Sequence, residues 1–330
     1  MKAAWFEEFG PAADVLTVGE QPAPEPRAGE VLVRLKASGV NPSDVKKRTG
    51  AFPGLLDDGL VIPHSDGAGV IAAVGEGVSD REIGERVWVY QAQYGRRFGT
   101  AAEFVSIDSC RAPLLPENTS FEVGACLGIP AMTAHRCVFA DGPVDGQNVL
   151  VTGGAGRVGH YAVQWASQAG ASVIATASCA EDEKACIEAG AVAVVNHRQP
   201  GWCNEVLRLV EQGKVDRVID VQFGANLGEV LNLIRTGGVI ATYSSTEIPE
   251  PRLPFLRMMF MDLTVRLVIV YAMPEEAKRR AISDIEKGLQ SERLQHRIAH
   301  LISLDDIAQA HEIIERGDCR GCVVIKPDGA

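Results

Sequence analysis

A chain of 330 residues, 46% hydrophobic and 23% charged, is too long for one ordinary core and is composed like a globular protein of two domains. Its formal net charge of −11, with no Lys/Arg block longer than "KKR" at 46–48, argues against a nucleic-acid backbone or an anionic membrane as partner. The longest apolar run, "LVIVYAM" at 267–273, is about a third of the ~20 residues a bilayer requires. "MKAAWFEEFGPAADVL" breaks with acids and proline where a signal peptide stays apolar, so a cytoplasmic location is expected.

Up to about residue 122 the chain reads as short strands punctuated by turns. "EVLVRLKASGVN" (30–41) alternates as a half-buried strand does, and "GAGVIAAVGEGV" (67–78), "GERVWVYQAQYG" (84–95) and "TAAEFVSI" (100–107) follow it. Evenly spaced short strands predict a compact, barrel-like β unit.

From about residue 123 the texture changes. "VGACLGIPAMTAHRCVFA" has helical spacing, and strands then alternate with helices. Strands are predicted at "NVLVTG" (148–153), "ASVIATAS" (171–178), "VAVVN" (192–196), "DRVIDVQ" (216–222), "VIATYSS" (239–245) and "TVRLVIVY" (264–271). Between them lie the helices "RVGHYAVQWASQAG" (157–170), "AEDEKACIEAG" (180–190), "CNEVLRLVEQG" (203–213) and "NLGEVLNLIRTGG" (226–238). Helices that end at glycine and run into Val/Ile stretches are the mark of αβ units. Six such strands predict an α/β, doubly wound parallel Rossmann sheet. The tail holds the helices "PEEAKRRAISDIEKGLQ" and "SLDDIAQAHEIIERG" and a closing strand, "CVVIKP", and is expected to return to the first domain.

The eight cysteines lack zinc-finger or disulfide-scaffold spacing, as reduced thiols do. "CRGC" (319–322) runs straight into a β-like segment and lacks the helix N-terminus that a redox pair uses.

"VTGGAGRVGH" carries glycines that fit two registers, Gly154-x-Gly156-x-x-Gly159 or Gly153-x-x-Gly156-x-x-Gly159. The motif follows a strand and opens a helix inside a βαβ unit, the context that makes it a dinucleotide loop. Gly153 and Gly154 allow the turn, Gly156 lets backbone N–H groups approach a pyrophosphate, and Gly159 permits close helix–sheet packing. Ala155, Arg157 and Val158 complete the loop, with Arg157 either an extra charge for a phosphate or a solvent-facing residue.

An NAD site places an acid ~20 residues past the glycines to hold the ribose 2′-hydroxyl. Here Ala177 and Ser178 stand there, and Glu181 to Glu183 come later, at the next helix start. The missing carboxylate favours NADPH. Ser178, Lys184 and His197 are candidates for its 2′-phosphate, each with a plain surface role as the alternative, and Ser244 closes the cofactor-binding set.

"ASGVNPSDVKKRTG", "GAGVIAAVGEGV", "GERVW", "IPAMTAHR", "VLVTGGAGRVGHYAVQWA", "AVVNHR", "IRTGGVIATYSS" and "DDIAQAHEIIERG" together resemble the zinc-independent medium-chain dehydrogenase/reductases, most closely the zeta-crystallin-like NADPH:quinone oxidoreductases. The resemblance spans about residues 1 to 326. It implies a GroES-like catalytic domain at 1–122 and 272–330 and a Rossmann domain at 123–271.

By the same resemblance, Asn41 occupies the place of a zinc-ligand cysteine, and the ligand histidine of a Gly-His-Glu motif becomes Ser65. The four-cysteine structural lobe of the zinc enzymes is missing. No metal is therefore expected, and hydride would pass to a quinone, an enone or an unsaturated acyl acceptor that conjugation already polarises.

Asn41 is implied as a cleft-facing donor, against a plain Asn-Pro turn, and Thr133 as a residue near the nicotinamide, against ordinary helix packing. Lys46 and Phe52 replace tyrosines of the first cleft loop. Lys46 either turns the cleft cationic, which suits a carboxylate or CoA-linked substrate beside Arg96 and Arg97, or faces water. Tyr94 is a candidate donor to a carbonyl or a surface loop residue. The family also contains crystallins, so a nucleotide-binding scaffold or an RNA-binding protein is the reading from another class; the acidic charge argues against RNA. The apolar edge at 263–271 is a pairing liability unless covered, and the resemblance implies a homodimer through it.

Overall fold

The computed structural model describes residues 1–210, 213–317 and 319–327. The chain forms two compact units, residues 1–129 with 282–330, and residues 130–281. Glu211 and Gln212, at the end of the helix expected over 203–213, lie outside the described residues.

In the first unit, β1 (Lys2–Trp5) pairs antiparallel with β2 (Thr17–Glu20), with α1 (Ala12–Val15) between them. The hub is β3 (Glu30–Val40), whose Val31, Val33 and Leu35 are buried. Burying each such side chain contributes roughly 1.5–3 kcal/mol. After β3 come α2 (Pro42–Arg48), β4 (Asp66–Val74), β5 (Arg86–Val89), β6 (Phe104–Asp108) and α3 (Phe121–Gly124). β3 pairs with β4 along most of its length and with β6 through its first half. Helix α2 was not legible as a helix in "NPSDVKKR". Asn41 caps it, Pro42 fills the first position, and the Asp44 carboxylate accepts 2.8 Å from Asn41 N.

The second unit opens on α4 (Met132–Phe139) and then alternates: β7 (Asn148–Val151), α5 (Arg157–Gln168), β8 (Ser172–Ala177), α6 (Ala180–Glu188), β9 (Ala193–Asn196), α7 (Trp202–Leu209), β10 (Val215–Asp220), α8 (Phe223–Leu233), β11 (Ile234–Thr242), α9 (Phe255–Phe260) and β12 (Thr264–Leu267). Among the described residues these strands form one six-stranded sheet in the order β12-β11-β10-β7-β8-β9, every pair parallel. That is the doubly wound order expected from the alternating pattern.

Two details differ from the sequence reading. "IRTGG" belongs to β11 and not to the helix before it. Ile234 already pairs with Val215, the next pair is Val239 with Arg217, and the residues between bulge out of the ladder. The sixth strand is short, because β12 finds a partner only along Val239–Thr242 and the chain then enters a turn at Val270–Ala272.

The tail comprises α10 (Glu275–Gln290), β13 (Ile298–Ser303), α11 (Ile307–Arg316) and β14 (Cys322–Lys326). β14 pairs parallel with β13 and antiparallel with the end of β3, which returns the tail to the first unit. Ile307, Ala310, Ile313 and Ile314 of α11 pack with Val323 and Ile325 in one core cluster. No described helix is long and apolar enough to cross a membrane.

Candidate functional site

Strand order reverses between β7 and β10, the point at which a doubly wound sheet takes its ligand, outside the carboxyl ends of the strands. Thr152, just past β7, donates 2.6 Å to Asp220 Oδ1 at the end of β10 and accepts 2.9 Å from Val221 N. Asn226 Nδ2 donates 2.7 Å to the same carboxylate oxygen. Asp220 Oδ2 is left buried without a partner, and burial pushes the pKa of this carboxyl up.

The glycine loop is stitched to β8: Gly153 N donates 2.9 Å to Thr176 Oγ1 and Gly154 N donates 3.0 Å to Thr176 O. Gly153 holds φ +63°, a conformation costly for a residue with a Cβ. A Cβ on Gly159 would lie 2.2 Å from the Gly153 carbonyl oxygen, so the turn and the helix touch only because that atom is absent. Gly156 is the N-cap of α5 and brings no side-chain capping bond. The N–H groups of Arg157, Val158 and Gly159 therefore have no acceptor within their own helix. Together with the helix dipole they make a cradle for a phosphate, and the residues present fit a dinucleotide.

Ala177 and Asn196 are register partners at the ends of β8 and β9, so Ser178 and His197, the next residues, come together at the same carboxyl edge. Ser244 follows β11 at that edge, its Oγ 3.2 Å from Thr246 Oγ1. Arg157 is half-buried and stands within electrostatic reach of Tyr243, whose phenol burial pushes up and the guanidinium opposes. This puts Arg157 toward β11, on the other side of β7 from Ser178 and His197. Lys184 is exposed on α6, 3.7 Å from Glu188, and Thr133 is buried on α4.

The first unit holds a different arrangement, a buried cluster of side chains contributed by α2, β4 and the segments around 64 and 93. Asn41 Nδ2 donates 2.9 Å to Asp66 Oδ2, which also accepts 2.8 Å from Ile129 N. Lys47 Nζ donates 2.7 Å to Gln93 O and 3.3 Å to Ser65 Oγ. Burial pushes the Asp66 carboxyl up to about 8 and Asp44 up to about 6, while it pulls Lys47 down against the attraction of both acids. Burial thus favours the neutral acid at Asp66. Its Oδ2 takes two N–H donors, which leaves Oδ1, buried without a partner, as the atom a proton would occupy.

Of the expected catalytic residues, Asn41 lies inside this cluster with its amide engaged. Lys46 is exposed, and Tyr94 is exposed on its loop, its N–H donating 3.2 Å to Gln91 O. The buried lysine is the next one along, Lys47, which sequence reasoning passed over. The signal that finds it is the capped α2: with Val45 inward, helical spacing turns Lys46 out and Lys47 and Arg48 in, and both of these are buried. Among the described residues no group of three His, Cys, Asp or Glu side chains is arranged to hold a metal ion.

Residues 27–169 match the alcohol dehydrogenase GroES-like domain family, and residues 158–287 match the zinc-binding dehydrogenase family. Over 321 residues the chain is 31% identical to the quinone oxidoreductase of Rattus norvegicus, covering 95% of this chain and 94% of that one. A mycobacterial structure complexed with NADPH is 28% identical with a TM-score of 0.86, covering 99% of this chain and 100% of that one. An NAD-dependent alcohol dehydrogenase structure is also 28% identical, with a TM-score of 0.86 and 99% of each chain covered.

Proposed function

Because the chain belongs to the quinone oxidoreductase family of medium-chain dehydrogenase/reductases, we propose that it binds NADPH and reduces a quinone or another conjugated carbonyl without zinc. The observation that carries this reading is the uncapped N-terminus of α5 above the Gly153–Gly159 contact, at the reversal point of the sheet. Bound NADPH supplies the hydride. The N–H groups of Arg157, Val158 and Gly159 take the pyrophosphate, and Ser178 and His197 take the 2′-phosphate end. Ser244 lines the opposite side, and Thr133 supports the loop from α4.

Zinc independence draws support from Lys47. A buried ammonium donating to Ser65 Oγ, beside Asn41, puts positive charge where a zinc ion would need thiolate or imidazole. Without a Lewis acid the acceptor must already be polarised, which favours quinones and enones over alcohols and simple ketones. In the first unit Asp66 Oδ1 is the atom a proton would occupy, and Asp44 and Lys47 set how tightly it is held. Asn41 keeps the carboxyl oriented. Tyr94, exposed on the 91–99 loop, is the proposed donor from that side. An anionic acyl substrate draws less support: Arg96 is committed to Glu30 and the Ser106 carbonyl, and Lys46 faces water.

We further propose a homodimer through the β12 edge. Leu267 and Ile269 stand exposed there, and Phe260 on α9 is 80% exposed, an apolar edge that pairing would cover. A monomeric mass by light scattering at micromolar concentration would overturn the dimer.

Steady-state oxidation of NADPH and NADH against a panel of quinones, enones and enoyl thioesters tests the function. The expected result is quinone turnover with a preference for NADPH. Equal use of NADH would sink the cofactor preference. NADPH binding without oxidation by any acceptor would favour a nucleotide-binding scaffold.

A further inference from the structure

His64 and His311 are fully buried, their Nε2 atoms 3.0 Å apart, their ring centroids 5.2 Å apart and their ring planes within 23° of each other, so the two rings meet edge to edge. His64 Nδ1 lies 2.9 Å from Ser38 Oγ, Ser38 Oγ lies 2.8 Å from Thr100 Oγ1, and Thr100 Oγ1 donates 2.6 Å to the Asp66 carbonyl. The polarity of this row follows from counting protons. A carbonyl only accepts, so the single Thr100 hydroxyl proton is spent on Asp66 O. Ser38 must then donate to Thr100, which spends its own proton, so His64 donates to Ser38 from Nδ1. Burial and the nearby Lys47 charge pull His64 down to about 3, so its ring is neutral and Nε2 is bare. His311 therefore donates from Nε2, and its Nδ1 is bare, buried and without a partner.

We propose that His311 is a positioning residue: the one-way chain His311–His64–Ser38–Thr100–Asp66 O locks the Ser65–Asp66 segment, and with it the Lys47–Asp66–Asn41 cluster, to α11. A row that ends on a backbone carbonyl conducts no proton, so its consequence is geometric. His64 also carries φ +75°, a left-handed conformation that a side chain adopts only when its surroundings hold it. A second tie runs in parallel, since Arg48 of α2 pairs with Glu315 of α11 and with the Gly10 carbonyl. Backbone bonds from Thr100 N to His64 O at 3.0 Å and from Ala92 N to Ser65 O at 3.0 Å hold the rest of the segment. The tie to activity rests on the quinone reductase reading, whereas the chain itself does not.

Nitrogen-15 NMR of histidine-labelled protein reads the tautomers directly. His64 is expected protonated on Nδ1 and His311 on Nε2, the signals assigned with His311→Gln and His64→Gly. The opposite tautomer at His64 would overturn the proposal. His311→Leu, which removes the donor at similar volume, is expected to lower kcat/KM for the quinone roughly tenfold by displacing the cluster, with NADPH Kd unchanged. His311→Gln, whose amide still donates, should restore most of that loss. Parent-like turnover in His311→Leu would overturn the positioning role.

If the parent reduces no quinone, the function assignment fails and the chain is judged on stability. His64→Gly and His311→Leu are each expected to lower Tm by about 2–4 °C, and the double variant by less than their sum. Additive losses would mean that no chain exists.

Discussion

The two units solve the placement of polar groups in opposite ways. In residues 130–281 the crevice is made of backbone: three N–H groups at an uncapped helix end, held open by glycines and fastened by Thr152 and Thr176. In the first unit the cluster is made of side chains, an ammonium and two carboxyls removed from water, the ammonium bonded to Gln93 O and Ser65 Oγ and the Asp66 carboxyl to Asn41. The first arrangement is ready for an anion, and its backbone donors do not titrate, although the buried Asp220 carboxyl behind them does. The second depends on its charges staying balanced, and it is tuned by burial. A binding site can therefore be read from glycines and helix starts, whereas a tuned cluster exists only after the chain has folded.

The sharpest break between the two should come from Gly159→Ala. Its Cβ would meet the Gly153 carbonyl oxygen at 2.2 Å, and overpacking of this kind costs about 1–3 kcal/mol. NADPH affinity should fall on the order of a hundredfold by fluorescence titration, at the upper end of that cost, with the stability of the Lys47 cluster unaltered. Retained affinity would show that the loop yields and that the contact is not what shapes the crevice.

Next comes a contrast between neighbouring lysines. Lys47→Met leaves the buried Gln93 carbonyl and Ser65 hydroxyl without their donor and removes the cation near Asp44 and Asp66, and should lower stability by about 1–3 kcal/mol in denaturant titration. Lys46→Met, on the exposed side of α2, should leave both stability and turnover as they are. Equal effects of the two substitutions would erase the distinction drawn between them.

The pH dependence probes the first unit through Asp66. The Asp66 carboxyl is raised to about 8 in the folded state, from an ordinary value near 4 in the unfolded chain, so the native state binds more protons between these values. Its contribution is fully present below about pH 4 and is lost as pH rises through about 8. Between pH 6 and 8 the stability should fall on the order of 2 kcal/mol, and Asp66→Asn, which keeps the acceptor for Asn41 and Ile129 N, should flatten the slope. A slope that persists in this variant would assign it to Asp44, Lys47 or groups elsewhere. NADPH affinity over the same range should follow the cofactor's own titration.

The smallest effect is expected from Arg157→Ala, within about fivefold in NADPH affinity, because a half-exposed arginine directed toward Tyr243 adds little beyond the helix end itself. A larger loss would make that side chain a principal phosphate ligand.

Much of the second unit was legible in the sequence. The alternation of Val/Ile runs with glycine-terminated helices is a local record of a parallel sheet, and the glycine loop falls between β7 and α5 as its spacing required. The bulge in β11 was not legible, because "IRTGG" continues a helical pattern and only the partner strand β10 draws Ile234 into the ladder. In the first unit the long strands were legible, whereas α2, β13 and the β1–β2 pair were not. Each is short or polar, and none shows a period of its own.

By itself the sequence determined the α/β class, the six-stranded order of units, the dinucleotide loop and the lack of zinc-ligand spacing. These follow from local rules, in which residue type and spacing dictate turn, helix start and strand. Only the tertiary structure decided that Lys47 and not Lys46 goes inside, that burial raises the Asp66 carboxyl, and that His311 reaches back to His64. Those outcomes depend on residues far apart in the chain sharing one buried volume, where desolvation sets protonation and the count of donors sets direction.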